Sequence, residues 1–266
     1  MVLEFSRCVA LIAMALYLPS AQAGIVLNTT RVIYQGSDKE ASLGVQNTGT
    51  GEILLQSWLE AGLPRVNELD SSTSNRSAED KQLLLKDASD LSFIVTPALA
   101  RMPGGGRQLL RIIHSGANLP ADRESVLWLN VQEIPQTAAE NTLQVAIRQR
   151  IKVFFRPKGL QGDPLQAPEK LQWKLLAGDV LRVYNTGPYH VSMLKITAQQ
   201  RGRELATLDS GMLAPHQQLS LALAHRADEV PVELSFISIN DFGGQVRYSA
   251  TLSGSDTGYA RKTEPR

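Results

Sequence analysis

Leu143-Gln144-Val145-Ala146-Ile147-Arg148-Gln149-Arg150-Ile151-Lys152-Val153-Phe154-Phe155 is a stretch in which every second position from Leu143 is apolar, except at Gln149. Side chains of a β-strand point alternately to its two faces, so this period of two predicts a strand with one apolar face. Typical strands contain about 5–6 residues, and this one is about twice as long. We therefore expect residues 151–155 to face the core of their own domain and residues 143–147 to project beyond it.

The same rhythm extends through most of the chain, which predicts an all-β protein. Short alternating stretches are separated by turn residues, and no window shows a clean helical period with caps. Seven strands are predicted before residue 156, namely residues 25–34, 41–46, 53–61, 93–96, 108–114, 126–134 and 142–155. Seven more are predicted after residue 168, namely residues 171–176, 180–185, 190–199, 204–208, 217–222, 232–239 and 245–252. Two sets of this size predict two immunoglobulin-like β-sandwich domains.

Turn residues and composition suggest where these domains begin and end. We expect an N-terminal domain over residues 24–156 and a C-terminal domain over residues 169–253. Glycines and prolines within residues 157–168 indicate a linker between them. Residues 254–266 are polar and are predicted to be a tail without regular structure. Residues 64–90 are polar and serine-rich, which indicates a surface insertion in the first domain.

The first 23 residues have the pattern of a secretory signal peptide. Arg7 precedes an apolar run over residues 8–18, and Ala21-Gln22-Ala23 matches a cleavage site of small residues. The run is too short to span a bilayer, which needs about 20 apolar residues. Cleavage would remove Cys8, the single cysteine of the chain. The exported protein would then contain no thiol, which excludes a disulfide scaffold, a cysteine protease and a cysteine-ligated zinc site.

Composition and motifs argue against enzymes and nucleic-acid binders. The formal net charge is +1, with 27 Lys+Arg against 26 Asp+Glu, whereas nucleic-acid binders are usually strongly basic. The four histidines are scattered without a metal-binding spacing, and no serine lies in a Gly-x-Ser-x-Gly motif. The glycine turn at residues 103–107 lacks the lysine and Ser/Thr of a nucleotide-binding loop. We therefore expect no catalytic residues, metal, cofactor or nucleotide.

The projecting apolar row, Leu143, Val145 and Ile147, has two interpretations. It is either ordinary sandwich core, as in most alternating strands, or a surface that a partner accepts. An added strand supplies main-chain hydrogen bonds, and its alternate side chains fill pockets of the acceptor. Periodicity alone does not decide between the two interpretations.

Several separated motifs, in order along almost the whole exported chain, resemble those of the PapD-like periplasmic pilus chaperones. They occupy residues 30–34, 119–125, 133–135, 150–157, 185–190 and 239–244. The short connection over residues 135–142 and the absence of cysteine after residue 8 are similar to the short-loop branch of that family. The resemblance implies two immunoglobulin-like domains in a boomerang arrangement, located in the periplasm. The implied function is to bind, fold and cap pilus subunits by donor-strand complementation and to deliver them to an outer-membrane usher without ATP.

The resemblance also implies roles for individual residues. Arg31 and Lys152 would anchor the C-terminal carboxylate of the pilin, because a partly desolvated carboxylate needs charge-assisted donors. Leu143, Val145 and Ile147 would be the donor residues. When no pilin is bound, such a strand also allows the chaperone to associate with itself.

A further motif match concerns the junction between the domains. Glu124, Arg156 and Asp241 would form an interdomain charge cluster that fixes the angle between the domains. The alternative to the chaperone hypothesis is a structural subunit of a pilus or other surface assembly with immunoglobulin-like domains. A pilin would be a single domain with a removable N-terminal donor segment, whereas two complete strand sets are predicted here.

Overall fold

The computed structural model describes residues 24–61, 93–116, 119–135, 145–177, 179–227, 231–254 and 256–263. The predicted signal peptide (residues 1–23) and the predicted insertion (residues 64–90) lie outside these residues. Strands dominate the described part of the chain, and its one helical element is a short 3-10 helix, Pro164–Lys170. No helix among these residues is long and apolar enough to cross a membrane.

The described residues of the first half form a sandwich of two sheets. Its strands are β1 (Ile25–Leu27), β2 (Arg31–Gln35), β3 (Ala41–Asn47), β4 (Ile53–Ala61), β5 (Phe93–Thr96), β6 (Leu99–Met102), β7 (Arg107–His114), β8 (Ser125–Pro135) and β9 (Arg148–Arg156). One sheet has the order β1-β3-β7-β5, and the other has the order β2-β9-β8-β4-β6. Their apolar faces enclose a core that includes Tyr34, Leu43, Leu110, Leu129 and Val153.

The predicted first strand, residues 25–34, is in fact two strands that belong to different sheets. β1 pairs antiparallel with β3, whereas β2 pairs parallel with β9. At the change of sheet, the Thr29 hydroxyl donates to the carbonyl oxygen of Arg31 at 2.9 Å. Alternation records which side chains are buried but not which neighbour a strand pairs with, so the sequence did not reveal the switch. The switch is important because it places Arg31 beside β9.

The second half forms another sandwich from strands β10 to β18. They are β10 (Leu171–Leu176), β11 (Val180–Asn185), β12 (Val191–Gln200), β13 (Arg203–Leu213), β14 (Gln218–Ala222), β15 (Val232–Ile239), β16 (Gln245–Leu252), β17 (Gly258–Tyr259) and β18 (Arg261–Lys262). The sheets have the orders β14-β11-β10-β17 and β13-β12-β15-β16-β18. Trp173 and Phe236 lie in the core, with ring centroids 5.4 Å apart. The two sandwiches confirm the all-β prediction.

A small apolar cluster lies apart from both cores, where the halves meet. Val126 and Phe154 from the first half pack with Met212 from the second, and all three are buried. The chain crosses between the halves through the 3-10 helix, which begins where the Asp163 side chain accepts a hydrogen bond from Leu165 N at 2.8 Å. The predicted linker therefore contains local structure, because an aspartate followed by proline is a favourable start for a helical turn.

Strand β9 is shorter than predicted. Its ladder with β8 begins at Arg148, and the only further backbone bond in that direction that the described residues show is Glu133 N to Ile147 O at 3.0 Å. Residues 145–147 precede the strand, because the ladder pairs with β8 begin only at Arg148. Residues 136–144 lie outside the described part of the chain. They include Leu143 and most of the connection over residues 135–142, on which the short-loop assignment depends.

The predicted tail is partly ordered, so that prediction was wrong for residues 258–262. β17 pairs with β10 of one sheet, and β18 pairs with β16 of the other. Ala260 lies between them and is buried. The segment gains order because β10 and β16 are otherwise edge strands, whose unpaired backbone groups can bind an added strand. The polar composition of the tail gave no sign of these partners.

Candidate functional site

Two cations predicted from the sequence lie side by side at the junction of the two halves. Arg31 begins β2 and Lys152 lies within β9, and the two residues are register partners in the parallel pair. Arg31 is 7% exposed, and its Nη1 donates to the carbonyl oxygen of Ile239 at 2.9 Å. Its Nε is buried and has no hydrogen-bond partner within the described residues. Neither Arg31 nor Lys152 takes part in an ion pair within the described part of the chain.

The electrostatic environment of both cations favours an anion. Burial, and to a lesser extent the nearby charge of Arg31, together lower the pKa of Lys152 from 10.5 to about 8. Burial also lowers the pKa of Arg31, although Asp241 and Glu124 partly offset this effect. The Lys152 ammonium lies 5.6 Å from the centre of the Trp128 ring, a cation–π contact that supplies partial compensation. Two close, partly desolvated cations would be stabilised by a bound carboxylate.

The predicted charge cluster is also present. Arg156 Nε donates to Glu124 Oε2 at 2.8 Å, and its two terminal nitrogens donate to the two Asp241 oxygens at 2.7 Å each. Arg156 belongs to the first half and Asp241 to the hairpin between β15 and β16, so the bidentate pair joins the two halves. Burial by itself would lower the pKa of Arg156, but the hydrogen bonds with Asp241 and Glu124 raise it above its ordinary value.

His190 is a member of this cluster that sequence reasoning missed. Its Nδ1 lies 2.7 Å from Glu124 Oε1, and its backbone N donates to the same oxygen at 2.9 Å. Glu124 N in turn donates to the carbonyl oxygen of Pro188 at 2.8 Å. His190 lies in one of the quoted motifs, but no local signal links it to a residue so far away in the chain. Glu124 is thus a bridge between the halves rather than only a partner of Arg156.

Arg31 and Arg156 both line a cavity of about 170 Å³ between the two halves. The cavity also contacts Lys262 of β18 and Glu169 of the 3-10 helix. The ordered tail and the linker therefore both reach the junction. Among the described residues there is no group of three or more side chains that could hold a metal ion.

The apolar row of the long stretch divides where the prediction placed the division. Ile151, Val153 and Phe155 are buried in the core, whereas Val145 is 64% and Ile147 44% exposed. The exposed members show that the ordinary-core interpretation does not hold for this end of the row. Gln149, which interrupts the pattern, donates from Nε2 to the carbonyl oxygen of Ile25 at 2.9 Å and so connects the edges of the two sheets.

One edge of β9 is open in the described structure. β2 pairs with β9 only over residues 152–156, and no described strand pairs with residues 148–151 on that side. Backbone groups that no described strand pairs with lie next to the exposed side chains of Val145 and Ile147, and together they form a surface that can accept another strand. The open edge ends at Lys152, beside Arg31.

Two family models match nearly the whole described chain. The N-terminal domain of PapD, described as a pili and flagellar-assembly chaperone, matches residues 24–161, and the C-terminal domain of the pili assembly chaperone PapD matches residues 166–250.

Individual chaperone proteins are similar to this chain over most of its length. The chaperone protein FimB/FhaD of Bordetella pertussis is 35% identical over 243 residues, which cover 88% of this chain and 91% of that protein. The chaperone protein LpfB of Salmonella typhimurium is 34% identical over 241 residues, covering 89% and 92%.

Solved structures agree with these matches. The YadV chaperone superimposes with a TM-score of 0.67 at 31% identity, covering 86% of this chain and all of that one. The CupB2 chaperone of Pseudomonas aeruginosa gives a TM-score of 0.62 at 32% identity, covering 84% and 98%. The chain belongs to the PapD-like family of periplasmic pilus-assembly chaperones, a family whose function is not enzymatic.

Proposed function

We propose that this chaperone holds a pilin subunit in two ways at once. Residues 143–147 lend the subunit an apolar strand, while Arg31 and Lys152 bind its C-terminal carboxylate. The observation that most supports this function is the pair of adjacent, partly buried cations without an ion-pair partner among the described residues. Burial of like charges is unfavourable in the free protein, and a bound carboxylate would remove much of that cost.

The direction of β2 favours a particular orientation of the incoming strand. β2 runs parallel to β9 and begins at Arg31. A subunit strand that pairs with β9 before Lys152 and runs in the same direction would end at the two cations. Its terminal carboxylate would then meet Arg31 and Lys152, whereas an antiparallel strand would bring a positive N-terminus there. Charge therefore selects the parallel orientation, and fixing the end also sets the register.

The exposed row supplies the apolar part of the interaction. Val145 and Ile147 are exposed beside an open strand edge, an arrangement that promotes aggregation unless a partner covers it. Each aliphatic side chain that becomes buried could contribute about 1.5–3 kcal/mol. Leu143 completes the row by the period of two. Until a subunit covers it, the same surface can associate with a second copy of the chaperone.

The charge cluster has an orienting role in this proposal. Arg156 joins Glu124 of the first half to Asp241 of the second, so it holds the two halves at a defined angle around the subunit site. Release would follow by strand exchange at an outer-membrane usher. Strand exchange needs no nucleotide, because one set of backbone hydrogen bonds replaces another.

The proposed location of the chaperone, the periplasm, is supported by the family and by the first residues of the chain. The family is periplasmic, and we propose that residues 1–23 direct export and are then removed. The proposed division of the exported chain is a first domain over residues 24–156, a linker over 157–168 and a second domain that begins at residue 169 and includes the tail strands β17 and β18. Mass spectrometry of the periplasmic protein tests the cleavage, with residue 24 expected as the N-terminus.

The carboxylate site is tested by co-expressing the chaperone with its pilin and measuring the subunit level in the periplasm. Lys152→Ala should lower that level at least tenfold, because the anchor loses one of its two charges. Lys174→Ala is the matched control, since Lys174 is an exposed lysine of β10 in the other half. An unchanged subunit level with Lys152→Ala would show that the anchor is wrong.

A further inference from the structure

Phe242 is the most exposed large apolar side chain in the part of the chain that the structure describes, at 85% of its surface. Val145, the next most exposed, reaches 64%. Phe242 lies in the hairpin between β15 and β16, within the motif at residues 239–244. The anchor and the charge cluster account for Asp241 in this motif but not for its aromatic neighbour.

The backbone around Phe242 is held firmly. Asn240 Oδ1 accepts hydrogen bonds from Phe242 N at 3.1 Å and Gly244 N at 2.8 Å, and Gly243 N donates to the Asn240 carbonyl oxygen at 3.0 Å. Asp241, immediately before Phe242, is fixed by its two bonds to Arg156. An aromatic side chain on a backbone that is already ordered loses little conformational entropy when a partner covers it.

The hairpin lies against the first half next to the carboxylate anchor. Gly243 has φ +80°, and a Cβ atom there would be 2.9 Å from Thr30 Oγ1, so a glycine is needed at this contact. Thr30 directly precedes Arg31, whose Nη1 binds the carbonyl oxygen of Ile239 at the start of the same hairpin. Phe242 is therefore displayed where the two halves meet, one residue from the contact with Thr30.

We propose that Phe242 contacts an apolar side chain in the last few residues of the bound subunit strand. This inference rests on the proposed function, because the anchor brings the end of that strand to Arg31. The carboxylate would be fixed by the two cations, and successive residues of a strand advance by only about 3.3 Å. The side chains just before the carboxylate would then lie beside the hairpin that contacts Thr30 through Gly243 and carries Phe242. The chaperone would then recognise both the charged carboxylate of the subunit terminus and the apolar side chains that precede it.

The test is a competition for subunit between tagged wild-type chaperone and untagged variants. Denatured pilin is diluted into an equimolar mixture, and the two complexes are quantified by mass spectrometry after equilibration. Phe242→Ala should bind about 10- to 100-fold more weakly, the effect expected for losing one buried aromatic contact. Phe242→Tyr should retain most of the binding. Leu109→Ala is the control, since Leu109 is 52% exposed on the other sheet of the first half.

A double-mutant cycle identifies the occupant. If the inference is right, replacing an apolar residue near the pilin C-terminus by alanine removes the effect of Phe242→Ala, and replacing apolar residues elsewhere in the pilin does not. Wild-type affinity of Phe242→Ala together with impaired Lys152→Ala would overturn this inference and leave the proposed function standing. Wild-type affinity of both variants would overturn the proposed function as well. A change confined to self-association of the free chaperone, or to usher binding, would assign Phe242 to another partner and would also overturn the inference.

Discussion

Replacing Lys152 by methionine should make the free chaperone more stable while it weakens subunit binding. Lys152 is half-buried beside Arg31, and these two effects lower its pKa from 10.5 to about 8. At pH 7 the folded protein therefore keeps a proton on a group that its environment disfavours. Methionine has a similar length and no charge, so it can fill the same space without that cost.

The size of the stabilisation follows from the pKa. The drop from 10.5 to about 8 corresponds to about 3.4 kcal/mol at about 1.36 kcal/mol per pKa unit, which is an upper bound. Solvent screens part of this cost because Lys152 is not fully buried, and methionine loses the cation–π contact with Trp128. We therefore expect the free energy of unfolding of Lys152→Met to exceed that of the wild type by about 1–2 kcal/mol at pH 7.

The same reasoning predicts a pH dependence. Between about pH 8 and pH 10.5 the folded state has lost the Lys152 proton while the unfolded chain still holds it. The unfolded state then binds more protons, so the stability of the wild type rises with pH through this window. Lys152→Met lacks this group, and its advantage over the wild type should shrink toward zero by about pH 10.5.

Urea titrations of both proteins at intervals from pH 7 to 10.5 measure this difference directly. Other groups that titrate in this range are present in both proteins and cancel in the comparison. Lys174→Met, which removes an exposed lysine, should show neither the gain at pH 7 nor the pH-dependent difference. Equal stabilities of wild type and Lys152→Met across the whole range would refute the claim that the free site is electrostatically unfavourable.

Three other changes test neighbouring features. Arg156→Lys cannot reproduce the bidentate pair with Asp241 and bind Glu124 at the same time. Urea titration should therefore show that the free energy of unfolding falls by about 2–3 kcal/mol. An unchanged free energy of unfolding would mean that the cluster contributes little to stability. Val145→Asp should leave the free chaperone within about 0.5 kcal/mol of wild type, because Val145 is 64% exposed, yet prevent recovery of the subunit complex; an unfolded variant would instead favour a core role. Deleting residues 256–266 uncovers the edges of β10 and β16. The deletion should lower Tm by about 3–6 °C and increase self-association in sedimentation experiments. A deletion variant with the Tm of the wild type would show that the tail strands add no stability.

Much of the fold was predictable because burial in a sandwich imposes a period of two on the sequence. Ile151, Val153 and Phe155 are buried as their alternation indicated, and the strands of both halves lie close to the predicted positions. Alternation reports only which face of a strand is covered. It did not show that residues 25–34 belong to two sheets, that Leu99–Met102 forms a strand, or that residues 258–262 pair with two different edges.

The candidate site was predictable only through family motifs. Arg31 and Lys152 are ordinary surface-type residues in the sequence, and the resemblance alone singled them out. Glu124, Arg156 and Asp241 were grouped for the same reason, and the structure brings them together. His190 was missed, because its hydrogen bonds with Glu124 span 66 positions of the chain and leave no local pattern.

The sequence by itself determined the strand-rich class, the alternating cores and the long stretch whose two ends have different surroundings. These are local properties, since each depends on the spacing of apolar residues along one strand. Only the tertiary structure decided that β2 leaves the sheet of β1 and pairs with β9, which places Arg31 beside Lys152. Burial of that lysine, together with the smaller effect of the Arg31 charge, lowers its pKa to about 8. Electrostatic interactions and desolvation depend on distance through space, and no periodicity along the chain encodes that distance.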